Sequence, residues 1–303
     1  LNHAAALGGD YDPAAMESHA HEVLDAAWAE GVRYVDCARS YGRAEEFVAS
    51  WLARRGIAPG EIVVASKWGY TYTAGWSTTA EQHEVKDHSL ATFTRQIDES
   101  VERLDGYLSL YQIHSVTAES KTLGDSALID ALARLREKGI IAGLTVSGAG
   151  QDVAIRRALE VRREGLRVFD SVQATWNLFE RGAESALREA HSEGMKVVVK
   201  EALANGRLTH GNRDTEPVLS PVLDKVRRIA ESRDTTIDRL ALGAALARPW
   251  ADVVLSGAAT VAQLESNVRA NGFVVDAELE GELDEVSVPS EQYWRVRSGF
   301  SWN

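Results

Sequence analysis

Apolar residues recur along this chain in two alternating patterns, as short continuous runs and as longer stretches with helical spacing. The first helix is the clearest, because Asp12 and Pro13 form an N-cap and a first helical residue, and Gly31 ends the helix. Between them, the apolar residues of Met16–Trp28 share one face. The run Val32–Asp36 follows directly and predicts a strand.

The same alternation continues to the end of the chain. It predicts further helices at Ala44–Arg55, Asp87–Asp105, Ser126–Lys138, Val153–Arg163, Glu184–Ser192, Pro221–Ser232, Thr236–Arg248 and Val261–Ala270. It predicts further strands at Glu61–Lys67, Leu108–His114, Ile140–Ser147, Val168–Thr175, Lys196–Lys200 and Val253–Leu255. If Ala4–Leu7 is the remnant of a first strand, the count is eight strands.

Strands that are apolar on both faces and alternate with helices are typical of a parallel sheet. An unbroken series of such units, with no long linker, favours one closed (β/α)8 TIM barrel over residues 1–289 rather than two doubly wound domains. The active site of such a barrel lies at the C-terminal face of its strands. Residues 290–303 depart from the pattern, and we expect this aromatic tail to cover the substrate pocket.

The composition excludes several classes of function. Lys and Arg total 33 against 45 Asp and Glu, a net charge of −12 that argues against nucleic acid and anionic membranes as partners. No apolar run is long enough to span a membrane, and no signal peptide is visible. The single cysteine, Cys37, excludes a disulfide framework and a multi-cysteine metal site, and we expect it to be a small buried hydrophobe. These features predict a cytoplasmic protein without a metal.

Four ionisable residues follow neighbouring strands at the point where each strand ends. They are Asp36, Tyr41, Lys67 and His114. An ammonium beside a phenol stabilises the phenolate, so Lys67 is expected to lower the pKa of Tyr41, and Asp36 to hold Lys67 charged. His114 would orient a carbonyl oxygen by a hydrogen bond. Together these residues predict a proton donor that acts while another group delivers hydride to carbon.

The segments that carry these residues resemble those of the aldo-keto reductase family. The matching stretches are GVRYVDCARSYG (31–42), VVASKWG (63–69) and LYQIHS (110–115), and the resemblance covers nearly the whole chain except the usual N-terminal hairpin. It implies a (β/α)8 barrel that reduces aldehydes or ketones with NADPH. It also implies a catalytic tetrad of Asp, Tyr, Lys and His, with the tyrosine as general acid.

The resemblance further implies a cofactor site on the later strands. Its predicted members are Thr145, Gln173, Lys200, Leu203, Gly257, Gln263 and Asn267. Lys200 stands where the family usually stacks an aromatic residue on the nicotinamide, and we considered Trp176 as a replacement. Ala259 stands where a cation usually binds the 2′-phosphate, so the cofactor is NADP(H) or NAD(H) with a weakened NADP preference. Arg269 is a possible substitute for that cation.

Aromatic residues after the third predicted strand suggest the character of the substrate. Trp68, Tyr70 and Trp76 begin a long loop over residues 69–87, and Trp294 lies in the tail. If these residues line the pocket, they favour an apolar or aromatic carbonyl compound.

Two other functions remain open from the sequence. The first is a regulatory protein that binds the cofactor on the same fold, with the tetrad unused. The second is a Schiff-base lyase that uses Lys200, since such a lysine lies desolvated in a barrel mouth. A metal site at His19 and His21 is not expected, because residues two apart on a helix point in different directions.

Overall fold

Parallel strands surrounded by helices make up the greater part of the molecule. A computed structural model of the protein describes residues 12–75, 82–209, 212 and 216–299. The α-helices of this part are α1 Pro13–Ala29, α2 Ala44–Arg55, α3 Leu90–Leu104, α4 Ser126–Ala133, α5 Gln151–Glu160, α6 Glu184–Ser192, α7 Ser220–Ser232, α8 Ile237–Leu246, α9 Val261–Val268, α10 Ala277–Asp284 and α11 Ser290–Ser298. The strands are β1 Tyr34–Asp36, β2 Val63–Trp68, β3 Tyr70–Tyr72, β4 Glu84–Lys86, β5 Leu108–Val116, β6 Ile141–Val146, β7 Arg162–Arg163, β8 Leu166–Arg167, β9 Ser171–Thr175, β10 Lys196–Lys200 and β11 Val253–Val254.

Seven of these strands form one sheet in the order β1-β2-β5-β6-β9-β10-β11. Every neighbouring pair in it is parallel; along β9 and β10, for example, Ser171 lies opposite Lys196 and Thr175 opposite Lys200. The sheet is a nearly closed barrel with the helices outside, which confirms the predicted (β/α)8 fold. The predicted first strand, Ala4–Leu7, lies outside the described residues.

The central strands of the barrel are largely buried on both faces, since helices cover the outside and side chains fill the inside. Along β2, for example, every residue after Val63 is buried. Close approach between strands requires a glycine in β6. A Cβ atom on Gly143 would lie 2.9 Å from the Leu110 side chain and 3.1 Å from the Ser171 carbonyl oxygen.

The structure differs from the predicted elements at several places, and α10 is one element that the periodicity did not predict. The predicted loop 69–87 contains the antiparallel hairpin of β3 and β4. The predicted helix Val153–Arg163 ends at Glu160, and β7 and β8 form a second small hairpin. The predicted helix Ser126–Lys138 changes to a 3-10 helix at Arg134–Lys138. The last two differences lie at helix ends, where competing turns cost little.

The segment predicted to be an aromatic tail begins as a packed helix, α11. Tyr293 is fully buried in it, and the Asn177 side-chain amide donates a hydrogen bond of 3.0 Å to the Tyr293 hydroxyl. Ser290 donates a hydrogen bond of 2.9 Å to the Glu180 carboxylate. The helix is therefore anchored to the loop after β9. Phe300 and Trp302 lie outside the described residues.

The two histidines of α1 bind the helix to its neighbours. His19 Nε2 lies 2.6 Å from the Ala259 carbonyl oxygen, and His21 Nε2 lies 3.0 Å from the Phe47 carbonyl oxygen. They therefore face different neighbours. In the described part of the chain, no three His, Cys, Asp or Glu side chains are grouped as metal ligands would be.

Two further sequence features have a place in the fold. Cys37 is buried, 2% exposed, and burial raises the pKa of its thiol. This agrees with the expectation of a small buried hydrophobe. Among the described residues, no helix combines the length and the apolar character that crossing a membrane requires.

Candidate active site

The four ionisable residues singled out in the sequence meet at the C-terminal end of the barrel. The Lys67 ammonium donates hydrogen bonds to the Asp36 carboxylate and, at 2.8 Å, to the Cys37 carbonyl oxygen. Lys67 Nζ lies 4.8 Å from the centre of the Tyr41 ring. The rings of Tyr41 and His114 meet edge to face, with centres 5.7 Å apart. We call Asp36, Tyr41, Lys67 and His114 the tyrosine cluster.

Two glutamines complete the surroundings of Asp36. The Gln173 amide donates a hydrogen bond of 3.0 Å to Asp36 Oδ1, and the Gln112 amide donates one of 3.4 Å to the same atom. The sequence predicts that Gln173 contacts a nicotinamide, and this stays a prediction. In this structure the amide nitrogen of Gln173 is bonded to Asp36. Gln112 was missed, although a glutamine in the otherwise apolar run LYQIH was a visible signal.

Lys67 carries a stable positive charge inside the barrel. Its side chain is 1% exposed. Burial by itself lowers the pKa of Lys67, but Asp36 and Tyr41 raise it, and the net pKa lies above its usual value. The cation is therefore held in place by Asp36 at neutral pH.

Tyr41 differs from the expectation that its phenol is made more acidic. Burial raises the pKa of Tyr41 above its usual value, and the Lys67 ammonium offsets only part of that increase. Asp36, Glu84 and Glu201 also raise this pKa. The expected direction of the lysine's effect is correct, but desolvation is the larger effect here. The phenol is consequently protonated at neutral pH.

An irregular turn places His114. The register between β5 and β6 shifts between Ile113 and Val116, and Ser115 has a φ of 58° in the left-handed region. Such bulges re-aim side chains beside active sites.

Three side chains hold this turn in place. His88 Nε2 donates a hydrogen bond of 2.8 Å to the His114 carbonyl oxygen, and the Lys86 ammonium donates one of 2.6 Å to the Ser115 carbonyl oxygen. The Ser115 amide donates a hydrogen bond of 2.7 Å to the Thr145 hydroxyl. Thr145, predicted as a cofactor residue, therefore also positions His114, which the sequence did not indicate.

The His114 imidazole is neutral. Burial and the positive charges of Lys67, Lys200 and Lys86 lower its pKa well below the usual value. A neutral imidazole offers one N–H donor and no ionisable proton at neutral pH. This arrangement suits hydrogen bonding to a substrate oxygen, whereas proton donation is left to Tyr41.

The predicted aromatic pocket is only partly present. The Tyr70 ring lies edge to face against His114, with centres 4.9 Å apart. The structure does not place Trp68 in this pocket. Its side chain is fully buried against Phe93 of α3, with ring centres 5.1 Å apart. Side chains alternate along a strand, so the inward direction of Lys67 sends Trp68 outward. Trp76 lies outside the described residues.

Trp294 lies within α11, partly buried, with its ring 5.8 Å from that of Tyr293. Its predicted place in a substrate pocket stays a prediction. Trp176 does not replace a stacking aromatic residue in the mouth. It is fully buried against Trp250, and its indole nitrogen donates a hydrogen bond of 3.0 Å to Glu184 of α6.

The end of β10 carries a second group of charges. Lys200 is the last residue of this strand, and Glu201 follows with a φ of 56°. Arg297 of α11 donates hydrogen bonds to Glu201 Oε1, 3.0 Å from Nη2 and 3.3 Å from Nε. Burial raises the pKa of Glu201, but Lys200 and Arg297 lower it, and the net pKa lies below its usual value. Leu203, predicted to contact cofactor, lies just beyond this group and is partly buried.

The loop between β11 and α9 is built around its own hydrogen bonds. The Asn267 amide donates to the Ser256 hydroxyl at 2.9 Å, and the Ala259 amide donates to Gln263 Oε1 at 2.8 Å. Gly257 has a φ of 65°, and space is open where a Cβ atom would lie. These residues position the loop, whereas their predicted contacts with a cofactor stay predictions.

Arg269 lies at the far end of α9 from this loop. It follows the last residue of the helix, whereas the loop precedes the first residue. A helix of this length separates the two ends by about 12 Å. A role of Arg269 as a substitute cation stays a prediction.

Comparison with known proteins agrees with this geometry. The Aldo/keto reductase family profile matches residues 4–288. D-threo-aldose 1-dehydrogenase of Pseudomonas sp is 26% identical over 313 residues, covering 94% of this chain and 93% of that protein. L-galactose dehydrogenase of Arabidopsis thaliana is 26% identical over 274 residues, covering 88% and 82%. The fold matches aldo-keto reductase AKR11C1 from Bacillus halodurans in its holo form, with a TM-score of 0.73, 23% identity and coverage of 90% and 88%.

The chain therefore belongs to the aldo/keto reductase family, as the sequence resemblance indicated. Membership makes it an NAD(P)H-dependent oxidoreductase.

Proposed function

We propose that this protein reduces an aldehyde or ketone to an alcohol, with Tyr41 as the proton donor. The observation that carries the proposal is the contact of a protonated phenol with an ammonium on one side and a neutral imidazole on the other. A bound nicotinamide cofactor supplies the hydride.

The roles of the four side chains follow from their charges. His114 orients the substrate oxygen through its N–H group, beside the Tyr41 hydroxyl. As charge develops on that oxygen, Tyr41 transfers its proton, since an alkoxide is far more basic than a phenolate. Lys67 stabilises the phenolate that remains, and Asp36 keeps Lys67 charged and in position.

The residues present fit a dinucleotide cofactor at two points. The Thr145 hydroxyl accepts from Ser115, so its own hydrogen is available to a carboxamide oxygen. The open space over Gly257 precedes the N-terminus of α9, where backbone N–H groups favour a phosphate. Gln173, Leu203, Gln263 and Asn267 are further proposed contacts with the cofactor.

The expectation of an apolar substrate now depends on fewer residues. Tyr70 lies at the tyrosine cluster, whereas Trp68 faces the helices and does not contribute. One apolar wall at Tyr70 fits a flat or aromatic group next to the carbonyl. The opposite side of the mouth, at the end of β10, carries charged side chains instead.

Replacement of the proposed acid tests this function. We expect Tyr41→Phe to lower kcat/KM for carbonyl reduction by about 10³-fold, the range of general acid catalysis, while cofactor binding is unchanged. Turnover is measured by nicotinamide absorbance across a carbonyl panel, and binding by quenching of protein fluorescence.

Tyr107→Phe is the matched control, because that phenol precedes β5 at the other end of the barrel and donates a hydrogen bond to the Ile57 carbonyl oxygen. Unchanged turnover in Tyr41→Phe would reject the assigned acid. Tight cofactor binding by the wild type without turnover of any carbonyl would favour the regulatory role instead.

A further inference from the structure

Lys200 is the cation at the barrel mouth that has no partner in the described part of the chain. Lys67 is bound to Asp36, Arg297 to Glu201, and Lys86 to the Ser115 carbonyl oxygen. For Lys200, by contrast, the described residues provide neither a hydrogen bond nor an ion pair to its ammonium. An ammonium that is partly desolvated without a partner is unfavourable, and a bound anion would relieve this cost.

The carboxylate that acts most on Lys200, that of Glu201, is bonded to other groups. Both Nη2 and Nε of Arg297 bond to Glu201. The Asn177 amide donates a hydrogen bond of 3.0 Å to the Glu201 carbonyl oxygen, which fixes the backbone of this turn. Glu201 is therefore bonded to α11. Its negative charge raises the pKa of Lys200, although the two side chains form no ion pair.

The position of Lys200 ties it to the proposed chemistry. It ends β10 at the same end of the barrel as the tyrosine cluster, and its charge reaches both His114 and Lys67. The carboxylates Asp36, Glu84 and Glu201 act on Tyr41, whereas the charges that act most on His114 are those of Lys67 and Lys200. An anionic group beside His114 and Lys200 would therefore meet positive charge, although the molecule as a whole carries a net charge of −12.

We propose that Lys200 binds an anionic group and selects carbonyl substrates that carry a carboxylate. This inference rests on the proposed function for the carbonyl part of the substrate. Tyr41 and His114 receive the carbonyl oxygen, Tyr70 contacts the body of the molecule, and Lys200 pairs with the carboxylate. The same chemistry would suit a cofactor phosphate, so the experiment separates these two sources.

Binding of product analogues tests the inference without turnover. The probes are 4-(hydroxymethyl)benzoate and its methyl ester, titrated calorimetrically into protein saturated with NADP⁺. We expect the wild type to bind the carboxylate about ten-fold more tightly than the ester, and Lys200→Met to remove that preference. Lys200→Arg should retain it, because the charge is kept.

Lys196→Met is the matched control, since Lys196 begins the same strand at the other end of the barrel and pairs with Asp252. It should leave the preference unchanged. A preference that survives in Lys200→Met overturns the inference. So does a variant in which only the binding of NADPH is weakened, because the anion is then the cofactor's phosphate.

Kinetics and borohydride trapping distinguish the anion site from the reductase function and from a Schiff-base lyase. We expect 4-carboxybenzaldehyde to be reduced with a higher kcat/KM than methyl 4-formylbenzoate, and Lys200→Met to equalise the two. Absence of turnover with an intact binding preference supports the anion site and rejects the reductase function. A borohydride-trapped adduct on Lys200 shows a nucleophile, as a Schiff-base lyase requires, and overturns the anion site.

Discussion

Two lysines end strands on opposite sides of this barrel, and their surroundings are different. Lys67 is buried and bonded to Asp36 and to a backbone carbonyl, so its position and charge are set by the protein. Lys200 is half-buried, and burial together with Lys67 lowers its pKa below the usual value. The comparison teaches that a strand-end lysine acquires its role from its partner. We propose that one lysine serves the chemistry and that the other binds a ligand.

The same contrast separates the two halves of the mouth. On the side of β1, β2 and β5, the side chains of the predicted tetrad meet. On the side of β6, β9 and β10, Lys200 stands where the sequence resemblance implied an aromatic residue, and Thr145 and Gln173 are bonded to other parts of the protein. We therefore expect this second side to hold the ligand contacts that distinguish this protein.

The largest expected effect concerns the paired lysine. We predict that Lys67→Met lowers kcat/KM about 10²- to 10⁴-fold, because the Tyr41 phenolate loses its neighbouring cation. The alkaline limb of the pH profile should also move to higher pH, since Lys67 lowers the pKa of Tyr41. Carbonyl reduction followed from pH 6 to pH 11 measures both effects.

Loss of stability has to be separated from loss of chemistry in that variant. Removing Lys67 leaves the Asp36 carboxylate without its cation, which costs about 3 kcal/mol of unfolding free energy. In the double variant Asp36→Asn/Lys67→Met stability should largely return, whereas activity should not. Recovery of both would make Lys67 a structural residue only, and near-normal activity in Lys67→Met would reverse the comparison of the two lysines.

The extent to which the sequence predicts this arrangement follows from the range of the interactions. Hydrophobic periodicity is local, so the barrel order and the ends of most helices are visible in it. The outward direction of Trp68 can also be predicted from the sequence, because it follows from the inward direction of Lys67. The turn at Ser115 was not, since it is held by His88 and Thr145, which are distant in the chain.

The C-terminal helix shows the same limit more strongly. Its place is decided by Asn177 and Glu180, more than a hundred residues earlier, and its short sequence has weak amphipathic character. The aromatic residues in residues 290–303 suggested a cover for the pocket. The charged residue Arg297, which carries the contact with Glu201, was not singled out.

The second prediction concerns the anchor of α11, which belongs to the Lys200 side. Burial raises the pKa of Glu180 from 4.5 to about 7, although Ser290 and the Gly182 amide bond to its carboxyl group. The folded state therefore prefers the protonated form of Glu180. The protonated carboxyl group contributes fully to the free energy of unfolding below pH 4.5, and this contribution is lost as the pH rises through about 7.

We expect the free energy of unfolding of Glu180→Gln to rise by about 3 kcal/mol relative to that of the wild type between pH 4.5 and pH 8, because the amide does not ionise. Urea unfolding of both proteins at several pH values measures this difference. Glu193→Gln, at an exposed position, is the control and should show no such trend. Parallel stability curves for Glu180→Gln and the wild type would contradict the prediction.

The smallest effect concerns the cofactor end of the same side. Both backbone groups of Ala259 are engaged, the amide by Gln263 and the carbonyl oxygen by His19, and the methyl side chain offers no charge to a 2′-phosphate. We therefore expect the dissociation constants of NADPH and NADH to differ less than about ten-fold, since a charge-assisted contact is missing. Fluorescence titration of both cofactors measures the ratio.

A single added cation sharpens this last prediction. Ala259→Arg should increase the preference for NADPH by about ten-fold, while NADH binding changes little. Ala53→Arg, which adds the same charge at an exposed position on α2, should not alter the ratio. A hundred-fold preference for NADPH in the wild type, about 2.7 kcal/mol, would mean that another cation replaces the family's residue. Lys200 would then be the first residue to examine, because it is the mouth cation without a partner among the described residues.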